Sequence, residues 1–166
     1  MTSSPEVTQE GPILRHAARV ILIDGAERVL LLKWRLQTGE HIWITPGGGL
    51  AAGEHHREAA LRELAEEVGL REATLGPCVW LREHVFKWNG RAYRQRERFY
   101  LVRVSTHEVD RTGNDAQELR ILEEFRWWTL PELEASTESF APRRIALFLA
   151  PLLAGEIPGH PIDVGG

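Results

Sequence analysis

Cysteine is nearly missing from this chain: Cys78 is the only one in 166 residues. An intramolecular disulfide is therefore excluded and no cysteine-rich zinc pattern can be drawn, which fits a reducing, cytoplasmic setting. A basic excess is also missing. Twenty Lys and Arg face 24 Asp and Glu, for a formal net charge of -4. Nothing in that balance draws the chain onto a nucleic-acid backbone or an anionic membrane, and a small-molecule partner is expected. No apolar run approaches the roughly 20 residues that a bilayer span needs. Residues 1–12 are polar, without an apolar core flanked by positive charge, and are expected to form a flexible leader that neither anchors nor exports the chain. Repeats and low-complexity blocks are absent too, so solenoids and arrays are excluded.

What is present is a hydrophobic content of 43%, enough for one domain with a core able to hold a rigid site. That domain is expected over 13–154, with an irregular tail over 155–166. Residues 15–23 read as a strand ending at the turn Asp24-Gly25, and 29–34 as its pairing partner. A third extended segment, 43–45, runs into Pro46-Gly47-Gly48-Gly49, where a flexible loop is expected. Over 54–68 the period becomes helical, with Leu61, Leu64, Ala65 and Val68 on one apolar face and Gly69 placed as a left-handed C-cap. Two longer strands, 78–87 and 94–104, are joined through the hairpin signal Asn89-Gly90. A long loop over 106–122, a strand over 125–129, a helical turn over 131–135 and an amphipathic helix over 142–153 complete the pattern. Strands interrupted by two helices point to a mixed α/β sandwich.

The chemistry sits on the first helix. Glu63, Glu66 and Glu67 stand at i, i+3 and i+4 and share one side, opposite the apolar residues. Like charges at that spacing repel, so a cation is expected among them. Hard oxygen ligands suit magnesium, with manganese as a substitute, far better than zinc. Glycines just before the helix let the backbone approach an ion and its substrate closely. A solvated acidic face is the plain alternative for three glutamates alone. A phosphate-gripping P-loop is excluded because Glu54-His55 stands where Lys and Ser or Thr are required. His55 and His56 lack the i, i+4 spacing of a zinc pair and are expected at the surface.

Gly48, five residues, Glu54, seven residues, then Arg62-Glu63-Leu64-Ala65-Glu66-Glu67-Val68-Gly69-Leu70 resembles the complete Nudix box. The resemblance implies an α/β/α sandwich with a mixed sheet. It also implies a magnesium-dependent pyrophosphohydrolase that cuts a nucleoside diphosphate derivative or a nucleoside triphosphate. An enzyme that clears oxidised nucleotides and a non-catalytic nucleotide sensor are the alternatives. It makes Glu63, Glu66 and Glu67 metal carboxylates, with the Gly47 carbonyl as a further ligand, and has Arg62 orient a neighbouring carboxylate, with Glu54 as a similar brace. Glu63, Glu67 and Arg62 are thus the expected catalytic set. The general base stays open among Glu63, Glu97, Glu118, Glu123 and Glu124. Lys33 and Arg35, or Arg98 in the alternating row Arg94, Arg96 and Arg98, are candidates for substrate phosphates; a charged edge strand is the other reading of that row. Trp34, Trp88, Trp127 and Trp128 are open between core, rim and base stacking. His84, Val85 and Phe86 occupy the region where relatives often carry a subfamily-marking proline or tyrosine. Many such proteins dimerise, so a homodimer is a further expectation.

Overall fold

Alternation along the first strand sets the architecture. In β1 (Ile13–Ile23), Ile21 and Ile23 enter one core while Ala18, Val20 and Leu22 enter another, the two-residue period of a strand sending them to opposite sides. The computed structural model describes residues 11–112 and 121–166. After β1 come β2 (Val29–Arg35), β3 (His41–Ile44), β4 (Gly47–Gly49), α1 (His56–Val68), β5 (Cys78–Trp88) and β6 (Arg91–Arg103). Then follow β7 (Ile121–Trp128), α2 (Leu130–Ala135), β8 (Phe140–Ala141), α3 (Ile145–Leu153) and β9 (Ile162–Asp163). The strands form one mixed, curled sheet in the order β8-β3-β2-β1-β6-β5-β9, with β4 added to β1 and β7 to β2. Leu133 of α2 and Ile145, Leu149 and Leu152 of α3 fill the core with Ile21 and Ile23. Ala59, Ala60, Leu64 and Val68 of α1 fill the other. Helices thus cover both sides of the sheet, an α/β arrangement as expected.

The main partner of β1 is not β2. The two meet only at Ile23↔Val29, whereas β1 pairs in parallel with β6 along its whole length, from Ile13↔Tyr93 to Ile23↔Arg103. Beyond Ile23 and Val29 the two parts of the sheet diverge. The gap holds a cavity of about 380 Å³, walled by Ile42 and Ile44 of β3 and by Arg82, His84, Phe86 and Trp88 of β5, with Arg19 of β1 beside them.

Gly47–Gly49, expected as a flexible loop, is a strand. Ala17↔Gly49, Ala18↔Gly48 and Arg19↔Gly47 pair antiparallel with β1. Only glycine permits it: Gly47 has φ +147, and a Cβ there would lie 2.2 Å from the Ala18 carbonyl oxygen. The Asn89-Gly90 hairpin is present, both residues at positive φ, with β6 starting at Arg91 rather than 94. β6 lies between β1 and β5, so Arg94, Arg96 and Arg98 do not guard an edge strand. β7 begins at Ile121, within the stretch expected as a long loop. α3 starts three residues later than the pattern suggested. The tail after 154 is not wholly irregular either: β9 pairs in parallel with β5 at Trp80 and Leu81, and Val164 is buried.

Candidate active site

α1 is held at its C-terminal end by Gly69 in the left-handed conformation, whose N–H donates to Ala65, while Leu70 bonds back to Leu64. Its buried face differs from the one expected. Leu61 is 40% exposed and Ala65 half-buried, while two stripes point inward: Ala60, Leu64 and Val68, and beside them Ala59, Glu63 and Glu67. Members of each stripe are four residues apart and so stack along the helix. Two glutamates therefore lie within the buried face, Glu63 4% and Glu67 2% exposed, and not opposite it. Apolar periodicity points to Leu61 because it takes the glutamates to face solvent. Here they face the glycine strand.

Against that strand the contacts are close. The Gly47 N–H donates to Glu67 Oε2 at 3.0 Å. A Cβ on Gly48 would come within 2.6 Å of Glu63 Oε1. Glu66 stands apart, its side chain 46% exposed and its Oε2 3.1 Å from Arg62 Nη1. Arg62 is the organising cation. Its Nε and Nη2 each donate at 2.8 Å to Glu54, Nη1 donates at 3.0 Å to Glu63, and Nη2 also reaches the Gly49 carbonyl. The hydrogen bonds from Arg62, helped by the Ala51 N–H, pull the Glu54 carboxyl down to about 2. The same bond to Glu54 raises Arg62 above the ordinary guanidinium value.

A second charge cluster adjoins the strand from β1; it centres on Glu97, one of the candidate bases, with Arg19 and Arg82, which the sequence did not single out. Arg19 is 4% exposed; its Nε donates to Glu97 at 2.6 Å and its Nη1 to the Gly47 carbonyl at 3.1 Å. Glu97 also accepts from Arg82 Nη1 at 2.5 Å and lies 3.1 Å from His84 Nδ1. Burial alone would raise the Glu97 carboxyl, but Arg19, His84 and Arg82 outweigh it and hold it well below the usual carboxylate range. Burial pushes the His84 imidazole down, against the pull of Glu97. A base needs a proton affinity near working pH, and a carboxylate locked between two guanidiniums lacks it.

The other expected contacts are not gathered at one place. Lys33 lies over the Trp43 ring and 3.7 Å from Glu138, and Arg35 is 3.7 Å from Glu123. Arg98 is exposed beside His16 and His56, whose rings meet edge to face at 5.8 Å. Arg94 and Arg96 pair with Glu83. Glu123 pairs with His41 at 2.7 Å as well as with Arg35, and Glu124 is an exposed residue opposite Lys33 in the ladder. Glu118 lies outside the described residues. Trp34 and Trp128 are core, Trp127 carries Arg28 on its ring, and Trp88 lines the cavity. His55 is exposed, whereas His56 is half-buried.

Among the described residues, no three His, Cys, Asp or Glu side chains converge closely enough to enclose an ion unaided. The donor set nevertheless suits a divalent cation. Every candidate atom is a hard oxygen, and Gly48 leaves open the space beside Glu63 that a Cβ would fill. Around the glycine strand, the carboxylates Glu54, Glu63, Glu66, Glu67 and Glu97 are gathered with the guanidiniums of Arg19, Arg62 and Arg82, and the Arg15 guanidinium lies against Gly49. No helix among the described residues is long and apolar enough to cross a membrane.

Known proteins resemble the chain over most of its length. A family model described as the NUDIX domain matches residues 13–148. An RNA pyrophosphohydrolase of Rhodospirillum rubrum is 31% identical over 118 residues, covering 66% of this chain and 70% of that protein. The solved MutT NUDIX hydrolase of Burkholderia pseudomallei is 27% identical with a TM-score of 0.56, covering 81% of this chain and 95% of that one. A MutT protein of Methanosarcina mazei superposes with a TM-score of 0.65 over 89% of this chain and 98% of that one; at 16% identity it shows the fold alone.

Proposed function

We propose a reaction on one premise: this chain belongs to the Nudix family, and it is a hydrolase of pyrophosphate bonds. Its substrate is a nucleoside triphosphate or a nucleoside diphosphate derivative, cut by water. The observation that carries this reading is the placement of Glu63 and Glu67, both buried, against the backbone of Gly47 and Gly48. Buried carboxylates are costly unless compensated, and a divalent cation would add to the compensation that Arg62 and Arg19 bring to Glu63 and Glu67. Magnesium, or manganese in its place, would be held by Glu63, Glu67 and the Gly47 carbonyl, with Glu66 as an outer ligand. When bound, such an ion neutralises phosphate oxygens and acidifies water.

The protein's own groups do the rest. Arg62 and Glu54 lock the turn from the glycine strand into α1, so the carboxylates are positioned before substrate arrives. Glu63 and Glu67 are the groups available to accept a proton from water at that place. The neighbouring cavity receives the organic part of the nucleotide, its walls being mostly apolar with Arg82 and His84 as polar contacts.

A second reading concerns substrate. The name RNA pyrophosphohydrolase carried by several relatives supports an RNA substrate for this chain as a second reading, despite its acidic net charge. One panel separates the possibilities: release of phosphate or pyrophosphate, with magnesium, from nucleoside triphosphates, an oxidised deoxyguanosine triphosphate, dinucleoside polyphosphates and a 5′-triphosphorylated RNA oligonucleotide. Turnover of a free nucleotide supports the first reading. Turnover of the RNA alone supports the second. Binding without turnover of any compound overturns both in favour of a sensor.

A further inference from the structure

We infer that Arg19 is a positioning residue: anchored by Glu97, it holds the Gly47 carbonyl and so fixes the backbone at Gly47, whose N–H in turn aims the carboxylate of Glu67. The inference deepens the reading above and rests on it only where turnover is measured.

Gly47 is gripped at both of its polar groups. Its N–H is taken by Glu67 Oε2 at 3.0 Å and its carbonyl by Arg19 Nη1 at 3.1 Å. The residue itself cannot hold that orientation. At φ +147 it has no side chain to pack, and the strand it opens is only three residues long. Its carbonyl and its N–H lie in adjacent peptide planes joined at the Gly47 Cα, so a turn about that glycine would shift the oxygen expected to face an ion relative to the N–H that aims Glu67. Arg19 suits the task because it is buried and tied to Glu97. Its guanidinium is buried, and burial, which would by itself favour a neutral group, is outweighed by Glu97 and then by Glu67 and Glu63. The fork geometry of a guanidinium lets Nε serve Glu97 while Nη1 serves Gly47 and approaches the Thr45 carbonyl at 3.5 Å.

Glu97 has a second set of partners on the far side. Arg82 and His84, which line the apolar cavity, meet the same carboxylate that anchors Arg19. The cavity wall and the glycine strand are therefore joined by one chain of hydrogen bonds, Arg82 to Glu97 to Arg19 to Gly47. Strand pairing supports it: Arg19 sits opposite Gly47 on one side of β1, and Glu97 lies two positions from the partner of Arg19 in the parallel ladder on the other.

Arg19→Lys tests this directly, because an ammonium keeps the charge but has no planar fork to serve Glu97 and Gly47 together. Three quantities are read: Mn2+ affinity by calorimetry, amide exchange at Gly47, and the split between kcat and KM for whichever substrate the panel yields. The variant should melt close to the wild type and bind Mn2+ about tenfold more weakly. Gly47 should exchange faster while the β6 amides do not, and kcat should fall about tenfold with KM little changed. Unchanged Mn2+ affinity and unchanged Gly47 exchange in the folded variant overturn the proposal. If the lysine variant does not fold, the paired replacement Arg19→Met with Glu97→Met removes both charges and is read in the same way. If that also fails to fold, Arg19 supports the core rather than the peptide, and the proposal falls. A wild type that turns over nothing on the panel sinks the hydrolase reading instead, and Gly47 exchange still decides the role of Arg19.

Discussion

Arg62 holds both carboxylate oxygens of Glu54, Nε on one and Nη2 on the other, each at 2.8 Å. Eight residues separate the two in sequence, and the pair closes the turn that carries the chain from the glycine strand into α1. Because the Arg62 hydrogen bond pulls Glu54 from its ordinary 4.5 to about 2, its contribution to stability is present above about pH 4.5 and is lost as pH falls through about 2. Glu54→Gln should cost about 1 kcal/mol near neutrality, the pair being partly solvated. Thermal melts at stepped pH check the sign: the difference in Tm between wild type and variant should narrow from pH 5 to pH 2. A difference that widens toward acid contradicts it.

Glu67→Gln keeps the size of the side chain and an acceptor for the Gly47 N–H but removes its charge. It should fold normally and lose about 10²-fold or more of turnover, the scale of a lost general base. Phosphate-release rates beside a melting curve decide it; retained turnover would take Glu67 out of the reaction.

Gly48→Ala is expected to act on Glu63 alone. The new Cβ would sit 2.6 Å from Glu63 Oε1, so the carboxylate must move aside while the backbone stays. Activity should fall far more than stability, measured as kcat against Tm. A variant as active as the wild type would show that the position of Glu63 is immaterial.

Chelation should abolish turnover and restored magnesium or manganese should return it. Since an ion that binds only the folded state stabilises it, Mn2+ at about 100 times its dissociation constant should add about 2.7 kcal/mol. Calorimetric melts with and without Mn2+ measure this, and Glu67→Gln should lose most of the shift.

Phe86 stacks between His84 and Tyr93, with ring centroids 5.4 Å away on either side, and faces the cavity. Phe86→Ala should raise KM for a base-bearing substrate about tenfold, the loss of an aromatic contact of 1–1.5 kcal/mol, and leave kcat nearly unchanged. Steady-state kinetics on the best substrate of the panel tests it.

Features that depend on neighbours in sequence were legible. Gly69 as a C-cap and Asn89-Gly90 as a hairpin follow from local residue chemistry, while the bracing roles of Arg62 and Glu54 rest on the resemblance to the Nudix box. The rest depends on distant partners. Three consecutive glycines carry no alternating pattern, so β4 cannot be told from a loop until β1 lies beside it. Arg19 reads as one polar residue in a strand because Glu97 is 78 positions away. The inward turn of Glu63 and Glu67 contradicts the rule that acids face water, and only the glycine strand beneath them explains it. Lys33, Arg35 and Arg98 look equivalent as phosphate contacts until the sheet gives each a different neighbourhood.

Ile162–Asp163 adds a short rung to the outer margin of β5, and the Val164 N–H donates to the Leu81 carbonyl. That strand carries Arg82, His84 and Phe86 immediately beyond, so a segment far from the chemistry shields the start of a cavity wall. Stripping it away would leave the Leu81 carbonyl without its Val164 partner at an open strand margin, a template on which another polypeptide can lie. Soluble yield and self-association thus become tied to the same few residues that frame where a nucleotide would enter.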